Sequence, residues 1–344
     1  MAARRLDLKT VRVDLSHGSG GRAMGQLIDE LFRQAFENDL LNQGNDQAAF
    51  DVAAGRMVMS TDAYVISPLF FPGGDIGSLA VHGTVNDIAM AGARPLYLSA
   101  SFILEEGLPL ADLKRIADSM GRASRQAGVP VVTGDTKVVE KGMADGVFIT
   151  TAGVGAVPDG LELSGDKARP GDKVLVSGTL GDHGVAVMSK RENLSFDTEI
   201  VSDSAALHGL VADMVAEAGN AIRCLRDPTR GGLAATLNEL AAQSKAGIRI
   251  LEAVLPVRPQ VAAACELLGL DPLFVANEGK LVAIVAPERA DDLLSAMRAH
   301  PLGRDAAIIG DVSEDPRHFV SMETIFGGER MVDWLSGEQL PRIC

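Results

Sequence analysis

Ala127-Gly128-Val129-Pro130-Val131-Val132-Thr133-Gly134-Asp135-Thr136-Lys137 is the stretch on which the fold class turns. Upstream of it, Pro109 to Ala127 has apolar residues at helical spacing with proline near the start, and Gly128 stands just past the end. The apolar run Val129 to Val132 then reads as a strand that runs into polar and charged residues. Helix, glycine, buried strand and polar turn are the parts of an α/β protein, which places its chemistry at the carboxyl ends of strands. Asp135 is on that ground a candidate metal ligand. Lys137 is a candidate for meeting phosphate or moving a proton. A polar turn with a surface lysine accounts for the same residues.

Toward the N-terminus, Leu96 to Leu104 and Arg56 to Thr61 read as strands, and Gly77 to Gly92 as a helix. Val11 to Leu15 alternates like a short strand. The glycine-rich Ser16-His17-Gly18-Ser19-Gly20-Gly21 follows, then a periodic helix from about Arg22 to Phe36. Glycines between a strand and a helix let backbone N–H groups point at an anion. No Lys-Ser/Thr pair follows, so this is not a Walker A loop. Gly18-x-Gly20-x-x-Ala23 approaches the dinucleotide fingerprint, but Asp39 lies in a polar connector and not at the end of a second strand. Asp46, Asp62 and Asp87 stand out: the first precedes Gln47 to Phe50, the second follows a strand and the third lies inside a helix among small residues. Each is equally readable as a cap or turn aspartate.

Toward the C-terminus, Val147 to Val154 reads as a strand. Two turn signals, Pro158-Asp159-Gly160 and Arg169-Pro170-Gly171-Asp172, mark a domain boundary. The pattern predicts strands at Lys173 to Ser177 and Leu281 to Val285, with helices near 204–218, 231–243 and 288–300. Asp227-Pro228-Thr229-Arg230-Gly231-Gly232 opens a helix and so offers an anion-friendly N-terminus. Ala276-Asn277-Glu278-Gly279-Lys280 precedes a continuous apolar strand, where Glu278 is a candidate general base or a plain turn carboxylate. His17, His82 and His183 have no metal spacing and read as structural.

The chain has 344 residues, 47% of them apolar, enough for two domains. Its net charge of −14 disfavours a nucleic-acid partner. Three cysteines, Cys224, Cys265 and Cys344, without metal spacing argue for a reducing compartment. The opening MAARRLDLKT lacks the apolar core of a signal peptide, and the expectation is a cytoplasmic protein. The last residue is itself a cysteine, in Pro341-Arg342-Ile343-Cys344. A thiol on a mobile tip has the geometry of a carrier. Arg342 beside it favours the thiolate, and the adjacent carboxylate opposes that. At an unperturbed pKa of about 8.5, only about 3% is thiolate at neutral pH, so a partner would have to activate it. A cysteine that merely ends the chain is the plainer reading.

Taken together, HGSGGRAM, STDAYVISPLFFPGGDIG, HGTVNDIAMAGARP, FILEEGLP, TGDTKVV, VSGTLGDHG, DPTRGG, CELLGLDPL, ANEGKLV, HPLGRDAA and terminal PRIC resemble the HypE family of hydrogenase maturation factors, within the aminoimidazole ribonucleotide synthetase-like ATP-binding superfamily. These stretches cover nearly the whole chain, in order. The resemblance implies a two-domain α/β fold: an N-terminal ATP-binding and dimerisation domain over 1–160 that forms a β-barrel across a homodimer, a C-terminal α/β domain over 161–330, and a mobile tail over 331–344 carrying Cys344. It implies ATP and Mg²⁺, with phosphates held by Gly18, Gly20, Gly21, Asp46, Asn86, Thr136 and Lys137, and metal by Asp46, Asp62, Asp87 and Asp135. It further implies that Cys344 takes a carbamoyl group from the carbamoyltransferase HypF. The chain then dehydrates the S-carboxamide to an S-cyanate, with Glu278 and Lys137 in proton transfer, and the cyanide passes to iron on a HypC–HypD scaffold during [NiFe]-hydrogenase assembly.

The residue types suit that chemistry. A carboxamide oxygen leaves poorly unless it is phosphorylated, and the transferred group needs cations around it. The nitrogen's protons need a base, for which Glu278 is the first candidate; Lys137 suits an electrostatic role or proton donation. Other readings are an ATP-dependent enzyme of the same superfamily with a diffusible substrate, a scaffold whose cysteine tail binds a metal or partner, and a dinucleotide oxidoreductase.

Overall fold

In the computed structural model, residues 6–8, 10–19, 22–43, 47–52, 54–194, 199–334 and 342–344 are described. The chain opens with a 3₁₀ turn (Leu15–Gly18) and a helical run made of α1 (Arg22–Leu27), a π-turn (Ile28–Phe32) and α2 (Arg33–Phe36). The strand expected at Val11 to Leu15 does not form. Only Arg12 makes a bridge, to Pro109, and Asp14 instead caps the 3₁₀ turn by accepting from the Ser16 amide. Strand β1 (Met57–Tyr64), the two-residue β2 (Phe70–Phe71) and β3 (Gly74–Asp75), helix α3 (Ile76–Met90), β4 (Arg94–Glu105), α4 (Leu110–Ala127), β5 (Val131–Val139) and β6 (Val147–Ala156) follow. Gly128 ends α4 at φ 67°, a conformation glycine adopts without penalty.

The first sheet has the order β1-β6-β4-β5, with β4 and β5 parallel and the other pairs antiparallel. It is open, with β1 and β5 at its two edges. This corrects the expected barrel, since four strands with two unpaired edges do not close on themselves. One face packs on α3, and α4 lies behind α3. Asp75 caps α3 through the Gly77 and Ser78 amides at 2.8 and 3.1 Å. Helix α3 is buried nearly all round, so its polar members Thr84, Asn86 and Asp87 must find partners inside the protein. The other face is uncovered except where Phe50 packs on Tyr97: Met59 is 72% exposed, and Met57 and Ile103 on the same face are exposed too. The polar turn expected at Thr133 to Lys137 is strand instead, because β4 pairs with it residue for residue from Ser99–Thr133 to Glu105–Val139.

The second sheet has seven strands in the order β13-β12-β9-β11-β7-β10-β8. These are β7 (Lys173–Val176), β8 (Ile222–Arg226), β9 (Gly247–Leu251), β10 (Val282–Val285), β11 (Ala307–Ser313), β12 (Val320–Glu323) and β13 (Glu329–Met331). Helices α5 (Asp182–Arg191), α6 (His208–Ala218), α7 (Gly232–Ser244), α8 (Pro259–Leu268) and α9 (Ala290–Ala299) complete this half. Strand β10 is buried at every residue, as its continuous apolar sequence requires. Leu210, Met214, Leu293 and Met297 from α6 and α9 join one core, and Leu233, Leu237 and Leu240 from α7 join another.

The last three residues run antiparallel to 65–67, with the Val65 amide donating to the Cys344 carbonyl oxygen at 3.0 Å and the Ser67 amide to Arg342 O at 3.2 Å. Ile343 is buried in the same core as the first sheet.

Candidate functional site

A group of carboxylates gathers where the two halves meet. Strand β1 presents Ser60 and Asp62 on the face toward α3, and Ser60 Oγ donates to Asp87 Oδ2 at 2.7 Å. The turn after β8 brings Asp227, and the turn before β10 brings Glu278. Ser60, Asp87, Arg226 and Asp227 line a cleft of about 480 Å³ between the halves. Burial holds Asp87 above its usual range, with Asp62 adding to the effect and Arg226 and Arg230 opposing it. Asp227 is pushed up to about 7, first by burial and then by Asp87. Glu278 is 3% exposed and its Oε1 has no hydrogen-bond partner. Burial, reinforced by Asp227, Asp203, Asp62 and Asp87, raises its carboxyl well above the ordinary value of 4.5. Glu278 is therefore biased toward its protonated form. As the structure stands it is placed to donate a proton, and it accepts one only after losing its own.

Cys344 belongs to this group. Burial raises its thiol pKa, and Glu278 raises it further, while Arg230 opposes both. The thiolate-favouring effect expected of Arg342 is absent, because that guanidinium pairs with Asp145 and the cation acting on the thiol is Arg230. In this seat the tail carries a neutral thiol.

Two residues fix the frame around Glu278. Asn86, wholly buried, donates from Nδ2 to the carbonyls of Ala205 (3.0 Å) and Glu278 (3.3 Å), and its Oδ1 accepts from the Leu207 amide at 2.7 Å. Its amide is thus engaged in pinning the 205–207 segment to Glu278. Asp203 accepts from the Glu278 amide at 3.0 Å and pairs with Lys280 Nζ at 3.1 Å. A Cβ on Gly279 would stand 1.8 Å from the Asp203 carbonyl oxygen, so only glycine permits this approach.

The remaining expected residues lie elsewhere. Lys137 Nζ meets Asp135 Oδ2 at 2.9 Å on the uncovered face, and Lys137 is 61% exposed. That bond, with the Thr136 amide, holds the Asp135 carboxyl below its usual range. Thr136 points the other way and is buried. Register places Asp62 opposite Thr151, Thr151 opposite Ala100 and Ala100 opposite Gly134. Asp135 is one residue further on, so Asp62 and Asp135 sit three strand spacings apart, about 14 Å, on opposite faces. A single metal site built from Asp62, Asp87 and Asp135 is not formed by one copy of the chain, and among the described residues no three acidic, histidine or cysteine side chains could hold an ion. Gly18 packs against β5, where a Cβ would meet Val138 N at 2.7 Å. Gly20, Gly21 and Asp46 lie outside the described residues. Beside this edge, Phe32, Phe36, Phe102, Val132 and Thr133 line a second cavity of about 500 Å³.

Sequence reasoning passed over Asp227, Arg230, Asp203 and His183 as site residues. Asp227 and Arg230 carried a signal, since they occupy the DPTRGG turn, but only its glycines drew attention. Asp203 and His183 carried none, because their partners are 75 and 160 residues away.

Family models of the AIR synthase related protein match the chain twice, the N-terminal domain over residues 44–157 and the C-terminal domain over 169–323. A carbamoyl dehydratase HypE from Rhizobium leguminosarum bv. viciae is 72% identical over 341 residues, covering 99% of this chain and 97% of the relative. A crystal structure of the hydrogenase maturation protein HypE in complex with ATP superposes with a TM-score of 0.93 at 52% identity, over 96% of this chain and 99% of the other. A HypE–HypF complex contains a chain that matches with a TM-score of 0.79 at 50% identity, over 90% and 99%. No helix among the described residues is long and apolar enough to cross a membrane.

Proposed function

We propose, from the premise that the chain belongs to the AIR synthase related family and within it to the HypE carbamoyl dehydratases, that it converts an S-carbamoyl group on its own Cys344 to an S-cyanate with consumption of ATP. The product supplies the cyanide ligands of the [NiFe]-hydrogenase iron. One observation carries this reading: the chain's last residue, a cysteine, is held half-buried against the core by the Val65 amide, within reach of the charge that Glu278 bears when ionised.

The donor set fits a magnesium nucleotide. Mg²⁺ is commonly held by one or two carboxylates together with substrate phosphates, and Asp87 and Asp227 face one cleft with raised pKa values that a cation would relieve. ATP supplies, when bound, the phosphoryl group that makes the carboxamide oxygen a leaving group. The chain's residues do the rest. Packing of the half-buried Cys344 against the core limits the access of water to the reacting sulfur substituent. Glu278 holds a proton at Oε1 or Oε2 beside the tail and, once ionised, takes one from the carboxamide nitrogen. Arg230 supplies positive charge near Cys344 and Asp87.

A neutral, half-buried thiol is a poor nucleophile, so the tail takes its carbamoyl group in another seat. We place that step on the carbamoyltransferase HypF and the later transfer on the HypC–HypD scaffold. The mobility of 331–344, and the division into 1–160 and 161–330, belong to the same proposal. The uncovered part of the first sheet's face, with Met57, Met59 and Ile103 on it, is where we place a second copy in a homodimer. Asp135 and Lys137 project from that face, so pairing would set them in the interface, where Lys137 serves phosphate as a cation. The cavity beside β5 suits an adenine ring in size and in its phenylalanine lining.

The test is intact mass after incubation with a carbamoyl donor system, with and without Mg-ATP, followed by mapping of the C-terminal peptide. The expected result is a gain of about 43 Da on Cys344 that falls by about 18 Da only with ATP, as the formulae of carbamoyl and water require. A thiol that never takes the group overturns the reading and points to a diffusible substrate in the same cleft.

A further inference from the structure

His183 lies at the start of α5, completely buried, with its ring edge-on to Phe71 at 5.5 Å. Its Nε2 is 2.8 Å from the Ile343 carbonyl oxygen and its Nδ1 is 2.8 Å from Ser202 Oγ. A carbonyl only accepts, so Nε2 carries the hydrogen and Nδ1 must accept from the Ser202 hydroxyl. Ser202 Oγ in turn accepts from the Ser204 amide at 3.1 Å, which leaves its own hydrogen free for His183. The tautomer is thereby determined by the partners on both sides.

The next residue along is Asp203, whose Oδ1 accepts from the Glu278 amide. Adjacent residues of one segment thus hold the tail, through His183, and the candidate acid. The other bonds to the tail come from the Val65 and Ser67 amides after β1, from Arg191 at the end of α5, which donates to Arg342 O at 2.8 Å, and from the pairing of the Arg342 guanidinium with Asp145. Among the described residues, His183 is the side chain that couples the tail to the segment carrying Glu278. Ile343 is 4% exposed, so losing this donor leaves a buried carbonyl without a described partner.

We propose that His183 is a positioning residue which, through Ser202 and Asp203, sets the Cys344 thiol in register with Glu278. The catalytic part of this statement rests on the function proposed above; the tail-holding part does not. The experiment is the rate of alkylation of Cys344 by iodoacetamide in the full chain, read by mass, with the buried Cys224 and Cys265 as reporters of general unfolding. His183→Ala should raise the Cys344 rate about 5- to 10-fold, the population shift expected from one buried hydrogen bond, with Cys224 and Cys265 still protected. His183→Gln, whose amide nitrogen reaches the place of Nε2, should stay within about 2-fold of the natural protein. In the dehydration assay, kcat should fall in the alanine variant and recover in the glutamine one, with KM for ATP unmoved.

An unchanged Cys344 rate in His183→Ala, or equal rates in the two variants, overturns the tail-holding role. Unchanged kcat in His183→Ala with faster alkylation overturns the register with Glu278. If Cys224 reacts in His183→Ala, Ser202→Ala gives the same reading: faster alkylation of Cys344 alone supports the proposal and an unchanged rate overturns it. A natural protein that is alkylated slowly but dehydrates nothing refutes the proposed function and leaves the tail-holding result standing.

Discussion

Replacing Glu278 by glutamine tests the electrostatics of the site directly. The side chain is buried and its folded-state pKa lies well above 4.5, so the folded protein binds this proton more tightly than the unfolded chain does. Stability from this group is fully present below about pH 4.5 and is lost as pH rises toward the folded pKa, at up to about 1.4 kcal/mol per pH unit. Glutamine is neutral throughout and nearly isosteric with the acid. Glu278→Gln should therefore match the natural protein near pH 5 and exceed it by a margin that grows as pH rises to 7, while turnover falls about 10²- to 10⁴-fold through loss of the proton-transfer group. Where Glu278 is ionised it repels Asp227 and raises the Cys344 thiol, so its removal relieves both at high pH. Urea denaturation of both proteins at pH 5, 6 and 7, with ATP-dependent loss of water from the carbamoylated tail as the activity readout, measures both. A variant less stable at every pH, with no trend, would show that the carboxyl is ionised and hydrogen-bonded in the folded protein, and the reasoning would fail.

Two substitutions elsewhere separate structure from chemistry. Gly279→Ala forces a Cβ against the Asp203 carbonyl oxygen, so circular dichroism melts should show destabilisation of about 2 kcal/mol or more together with lost turnover; an unchanged melt would mean that the 202–204 segment yields freely. Lys137→Met removes an exposed ion pair with Asp135, so stability should change by less than about 0.5 kcal/mol, while ATP-dependent turnover falls about 10²-fold or more if the lysine serves phosphate; full retained turnover sinks that role.

Much of the fold was legible because its signals are local. The amphipathic spacing from Pro109 to Ala127, the glycine at 128 and the apolar run before β10 each state their conformation within a few residues. The terminal cysteine and the order of motifs likewise identified the family without any geometry. What the sequence left open depends on partners far along the chain. Thr133 to Lys137 reads as a turn because nothing local says that β4, some thirty residues upstream, will pair with it. The order β1-β6-β4-β5 separates Asp62 from Asp135 and leaves the sheet open, and strand order is written in no single segment. The raised pKa of Glu278 comes first from burial and then from Asp227, Asp203, Asp62 and Asp87, which folding gathers from four separate stretches. His183 becomes a partner of the tail because 160 residues of intervening chain return Ile343 to its ring. Periodicity and caps act through neighbours in sequence, whereas charge, burial and register act through neighbours in space, and only the folded chain supplies those.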